Sequence, residues 1–101
     1  MNNWTQEEAI ALCRKVEEIC PKFGCHVALT GGSLYKDGFR KDCDLLFYRI
    51  RQEKVVKIIA MFEAFQDIGL KRVSGKGWLI KATYDGKPVD CLFPEAPGNL
   101  Y

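Results

Sequence analysis

No apolar run in this chain approaches the roughly 18 residues needed to cross a membrane as a helix. The start, Met1-Asn2-Asn3-Trp4-Thr5, has no basic cluster followed by an apolar stretch, so no secretion signal is expected there. There are no repeats and no low-complexity tracts. The chain has one histidine, His26, and no Cys-x-x-Cys pair. Its five cysteines (Cys13, Cys20, Cys25, Cys43, Cys91) are an odd number without that spacing. The expectation is therefore reduced thiols in a cytoplasmic protein, most of them packed as small apolar residues. Cys20, Cys25 and His26 lack a fourth ligand of suitable spacing, so zinc is not expected. A strong charge of either sign is also missing. The formal net charge is +2, too small by itself to argue for nucleic acid.

What is present is the make-up of a folded domain. In 101 residues, 48% are hydrophobic and 28% charged, enough for one compact core and too little for two. The expectation is a single domain over 1–101.

Thr5-Gln6-Glu7-Glu8 has the form of a capping box, with Thr5 as N-cap and Glu8 three residues on. Ala9, Leu12, Cys13, Val16, Ile19 and Cys20 follow at helical spacing, and Pro21 and Gly24 end the helix. Trp4 is placed to staple the helix start, with Ala9 as its expected partner. Cys25 to Thr30 is short and apolar and runs into Gly31-Gly32, which predicts a buried strand and a tight turn. His26 sits at the far end of that strand from the glycines and is read as structural. Asp42 to Tyr48 predicts a second strand, with Asp42, Asp44, Leu46 and Tyr48 on one face and Cys43, Leu45 and Phe47 on the other.

Glu53 to Ile68 carries a helical stripe of Val55, Ile58, Ile59, Phe62, Phe65 and Ile68, closed by Gly69. Leu70 to Val73 reads as a short extended segment and Ser74 to Gly77 as a turn. That turn is not a phosphate-binding Walker loop, because the spacing before it and the helix after it are wrong. Trp78 to Tyr84 and Lys87 to Phe93 flank Asp85-Gly86, a strong two-residue hairpin signal. The implied register sets Tyr84 against Lys87, Ala82 against Val89, Lys81 against Asp90 and Trp78 against Phe93. The fold class is α+β, with a small mixed sheet and the helices on one face.

The chemistry concentrates in two places. Gly31-Gly32-Ser33 is a turn that lets backbone approach a phosphate closely. Asp42 and Asp44 then begin a strand on one face, roughly 7 Å apart. Side-by-side carboxylates repel unless a cation lies between them, and magnesium serves when the partner is a phosphate. Asp90 is a third carboxylate in the apolar strand Pro88 to Phe93, where it is costly unless paired or set in a cleft. A pair with Lys81 is the plain reading, and a third metal ligand is the sharper one.

Together these residues resemble the nucleotidyltransferase superfamily of the DNA polymerase beta type. The likeness rests on Gly31-Gly32-Ser33, on Asp42-Cys43-Asp44 after eight intervening residues, and on Asp90 in a later apolar strand. It spans about residues 5 to 93 and is nearest in size to minimal members of the superfamily. It implies a nucleotidyltransferase-like core. Asp42, Asp44 and Asp90 would be catalytic and would hold Mg2+ or Mn2+. Gly31, Gly32, Ser33 and Lys81 would bind the triphosphate. The implied reaction moves a nucleoside monophosphate from a nucleoside triphosphate to a hydroxyl on a protein, RNA or small molecule.

Lys36, Arg40 and Lys41 are further candidate phosphate contacts or a solvated basic surface, and Tyr35 stacks on a base or packs. Larger members add a helical domain over the cleft. With the chain ending at Tyr101, none is expected here. The acidic face also carries Leu46, Tyr48, Leu79 and Leu92, an apolar area that calls for a cover. A homodimer or a helical partner protein is expected, the latter as in toxin–antitoxin pairs that resemble this superfamily. The alternative is a non-catalytic module that binds a nucleotide or protein on the same fold. A plain interaction domain would require the acids to lie apart in space.

Overall fold

The computed structural model describes residues 4–31, 41–50, 56–76 and 78–95. The first helix, α1, runs Gln6–Ile19 and continues into a 3-10 turn, Cys20–Phe23. Its start is the expected capping box. The Thr5 hydroxyl accepts from the Glu8 N–H, and the Glu8 carboxylate accepts from the Thr5 N–H. Two orphan donors are thereby satisfied, which typically contributes about 1 kcal/mol. Pro21 opens the 3-10 turn, and Gly24 ends it with φ of 95°, in the left-handed region that favours glycine.

Strand β1 is Cys25–Thr30 and β2 is Cys43–Arg49. The second helix, α2, is Ile58–Phe65, followed by a 3-10 turn, Gln66–Ile68, and a left-handed Gly69. It starts later than the sequence pattern implies. Val56 and Lys57 are not helical, and the beginning of the expected helix, 53–55, lies outside the described residues. The Lys57 N–H donates to the carbonyl of Phe23, and Ile58 N–H to Val56 O. These bonds draw the chain to the turn below α1 and off the helical path.

Strand β3 is Leu70–Lys76, longer than the four extended residues expected, and it takes in most of the supposed turn. A register shift between Arg72 and Ser74 lets it bend, and Gly75 has φ of 91°. A Cβ at Gly75 would meet the Leu79 carbonyl, so glycine is required by both space and torsion. Strands β4, Leu79–Tyr84, and β5, Lys87–Leu92, form the expected hairpin. Asp85 and Gly86 both have positive φ, as a primed two-residue turn demands. Three of the anticipated pairings, Tyr84 with Lys87, Ala82 with Val89 and Lys81 with Asp90, are present. The fourth, Trp78 with Phe93, appears as a backbone bond from the Phe93 N–H to the Trp78 carbonyl.

The sheet order is β1-β2-β5-β4-β3. Only β2 and β5 are parallel; the other pairs are antiparallel. Ala9, Leu12 and Val16 of α1 and Met61, Phe62 and Phe65 of α2 pack against one sheet face. That face supplies Cys25, Val27, Cys43, Leu45, Phe47, Val89, Cys91, Ile80, Ala82 and Leu70 to a single core. Phe47 stacks on Phe93 at 4.7 Å, and Phe62 meets Phe65 edge-on at 5.1 Å. Such pairs contribute roughly 0.5–1.5 kcal/mol beyond area burial. All five cysteines carry free thiols, four of them buried.

Trp4 does more than staple the helix. It is fully buried, its indole N–H donates to the Pro88 carbonyl at 2.6 Å, and it stacks on Tyr84. The Lys87 ammonium lies 4.4 Å from the Trp4 ring centre and pairs with Glu8 at 2.8 Å. The chain start is thus pinned to the β4–β5 hairpin.

Both sheet edges are blunted by the chain's own side chains. At β1, the Glu17 carboxylate accepts the Val27 N–H at 2.9 Å and pairs with His26 at 2.7 Å. This gives His26 the structural place expected of it. At β3, Arg72 donates to the Gly75 carbonyl at 2.6 Å, beside the bulge. Occupied edge groups and a bulge oppose pairing with a further strand.

Candidate active site: a row of carboxylates across the sheet

Among the described residues the second sheet face carries no helix. Its side chains form rows, because partners in register on neighbouring strands point the same way. One row crosses all five strands: Thr30, Asp44, Asp90, Lys81, Ser74. The next row is Ala28, Leu46, Leu92 and Leu79, each partly buried. His26 and Tyr48 lie one row further on.

Asp44 and Asp90 are therefore side by side at the parallel β2–β5 contact. Asp42 directly precedes β2 and is partly buried. On the other flank, Lys81 Nζ lies 3.0 Å from Asp90 Oδ1. That oxygen is shut off from solvent, and the ammonium approaches it outside hydrogen-bonding angles. Its charge is matched but no well-directed donor reaches it. Lys81 is held above the ordinary lysine value. The causes are its contact with Asp90, then the Asp90 charge, then the charges of Asp42 and Asp44, against some loss of hydration. All three acids thus act on one ammonium group, as neighbours must.

Gly31 completes the described part of the site. Its φ of 72° is left-handed, and a Cβ there would run into the Asp44 carboxylate. Both the torsion and the space exclude any other residue without rearrangement. Gly32 and Ser33, and with them Tyr35, Lys36 and Arg40, lie outside the described residues. Lys41 is exposed.

The donor chemistry fits a hard divalent cation. Three carboxylates belong to one end of the face, and one buried oxygen lacks a directed partner. The side chains as placed do not form a ready cage. Among the described residues no group of three His, Cys, Asp or Glu gathers closely enough to hold a metal ion. Asp90 is engaged by Lys81 instead, the plainer of the two readings the sequence offers for it. Thr30 and Ser74 are additions that sequence reasoning missed. Nothing local marks them, since their places follow from the sheet order alone.

Solved structures share this architecture, two of them as follows. A cytoplasmic RNA terminal U-transferase superposes with a TM-score of 0.67 at 16% identity, over 89% of this chain and 28% of its own. The polymerase beta of Leishmania infantum, in a ternary P/T complex, gives 0.65 at 10% identity, over 90% of this chain and 43% of its own. This chain spans less than half the length of either. The sequence matches no protein-family model. It matches no curated protein.

Proposed function

From the fold of a polymerase beta-type nucleotidyltransferase, we propose that this chain transfers a nucleoside monophosphate from a nucleoside triphosphate to a hydroxyl on a protein, an RNA or a small molecule. The observation that carries this reading is the placement of Asp44 and Asp90 as register partners, with Asp42 close enough to act on the same lysine.

Asp42, Asp44 and Asp90 would be the oxygen donors for Mg2+ or Mn2+, which would supply charge stabilisation at the phosphoryl oxygens and a more acidic attacking hydroxyl. Gly31, Gly32 and Ser33 bind the triphosphate, and Gly31 leaves room for the Asp44 carboxylate beside it. Lys81 offers a positive charge to the phosphates. The acceptor oxygen attacks the α-phosphorus in line, the bond to the bridging oxygen breaks, and pyrophosphate leaves. Asp90, on the acceptor side, takes the hydroxyl proton.

The row of Ala28, Leu46, Leu92 and Leu79 lies beside the acids, and Tyr48 beyond it is 42% exposed. A second copy of the chain or a helical partner protein covers it, in the manner of a toxin–antitoxin pair. The compartment is the cytoplasm, where buried thiols stay reduced. No helix among the described residues is long and apolar enough to cross a membrane.

Incubation with labelled triphosphates and Mg2+ or Mn2+ tests the reading, with Asp42→Ala and Asp44→Ala as controls. Label should appear on an acceptor and vanish in both variants. The Lys81–Asp90 pair and the lack of a gathered cage favour a second reading, a module that binds nucleotide without turnover. Retained nucleotide binding with no transfer to any acceptor would establish the module and overturn the enzyme.

A further inference from the structure

The small overall charge hides an uneven distribution. Strands β3 and β4, from Leu70 to Tyr84, contain Lys71, Arg72, Lys76 and Lys81 and none of the thirteen acidic residues. The remainder of the chain is therefore net acidic. These two strands form the outer ribbon of the sheet, with β3 at its edge. Lys71 and Arg72 are exposed, and Lys81 is half-exposed.

An exposed indole stands on the same ribbon. Trp78 is 59% exposed, whereas the only other tryptophan, Trp4, is fully buried. Val73, at the bulge, is 63% exposed. An exposed Lys71 on the open face and an open indole at the other end of a ribbon whose own sequence has no acid can neutralise a phosphate and stack a base. An acidic peptide would share the charge but would use the edge by adding a strand. That route is opposed by the bulge and by Arg72 on the Gly75 carbonyl. A nucleic acid needs no backbone pairing, and every base offers a ring face to Trp78.

The ribbon also leads into the carboxylate row. Lys81 belongs to both, and Lys71 is the register partner of Thr83, two residues from Lys81 on the same face.

We infer that the β3–β4 ribbon is a docking surface for a single-stranded polynucleotide. Trp78 stacks on a base, Lys71, on the open face, neutralises a phosphate, and the strand end is directed towards Asp90. The last step, which makes the strand the acceptor, rests on the proposed transferase reading; the binding does not.

The test uses the full chain without metal or triphosphate. Fluorescein-labelled oligouridylate and oligodeoxythymidylate of about 12 nucleotides are titrated by anisotropy between about 50 and 200 mM salt. Saturable binding is expected, with the tighter ligand naming the sugar. Each phosphate neutralised contributes a slope of about −0.7 in log K against log salt. Lys71→Gln should lower that slope by about one such unit. Trp78→Ala should weaken binding about tenfold while keeping the slope. Both side chains are exposed, so circular dichroism should show both variants folded.

No saturable binding at the lowest salt would overturn the inference. So would binding indifferent to both substitutions, or polyglutamate competing as well as the oligonucleotide, which would point to an acidic protein. Since no triphosphate is present, failure here leaves the transfer reading standing, and failed label transfer leaves this one standing.

Discussion

Gly31 and Asp44 are packed so closely that the glycine has no room for a side chain: a Cβ would collide with the carboxylate. Gly31 is therefore fitted to the first carboxylate of the row. Thr30, the residue before the glycine, is the register partner of that same aspartate. The two halves of the motif meet directly.

Gly31→Ala should accordingly lower stability by about 1–2 kcal/mol from the left-handed torsion alone, and more from the collision. Urea unfolding measures this. In Gly31→Ala with Asp44→Ala the collision is gone, so the double variant should lose less than the sum of the singles. A coupling of at least about 0.5 kcal/mol is expected for residues in contact. Strict additivity would mean the two do not touch.

Lys81→Met removes the cation beside the solvent-excluded Asp90 oxygen. Stability should fall, because the shielded oxygen loses the only cation beside it among the described residues. Mn2+ binding without nucleotide, followed by electron paramagnetic resonance, should tighten on the order of fivefold. That corresponds to about 1 kcal/mol of repulsion between unit charges at 4 Å in a water-like dielectric. Unchanged or weaker Mn2+ binding would show that Lys81 does not compete for the carboxylates.

Glu8 supplies a pH dependence. Its carboxyl is lowered to about 2, first by its bond to Lys87, then by the Thr5 backbone. A depressed acid stabilises the fold fully above its unfolded value, near 4.5, and the contribution is lost as pH falls towards 2. Melting temperatures of the wild type and Glu8→Gln should differ at pH 6, draw together below about pH 4.5 and converge only near pH 2. A gap that persists into strong acid would contradict the ion pair.

Trp4 can be divided into its parts. Trp4→Ala should cost about 3–5 kcal/mol, the range for deleting a large buried aromatic. Trp4→Phe keeps the ring packing and loses the bond to Pro88, so about 1 kcal/mol is expected. Denaturant midpoints separate the two. A costless Trp4→Ala would mean that the chain start is not docked on the hairpin.

Much of the fold was legible because its signals are local. The capping box, the glycine stop at Gly24, β1, β2 and the Asp85-Gly86 hairpin each depend on residues a few positions apart. The errors came where distant contacts override local preference. Val56 and Lys57 fall within the expected helix, yet the Phe23 carbonyl draws Lys57 off that path. Ser74 and Gly75 look like turn residues, yet pairing with Lys81 and Ile80 makes them strand. Trp4 looked like a local staple, and its polar bond goes to Pro88 near the other end of the chain.

The candidate site divides along the same line. By itself the sequence determined that Asp44 lies on the open face of a strand after a glycine, because side chains alternate along a strand; Asp42, expected on the same strand, directly precedes it. It also determined that Lys81 faces Asp90, because a two-residue hairpin leaves one register. Only the tertiary structure decided that Asp90 stands beside Asp44. That contact is between parallel strands from opposite halves of the chain, and no turn chemistry sets such a register. It follows from how α1, α2 and the inner sheet face close over one core, and with it come Thr30, Ser74 and the basic ribbon at the edge.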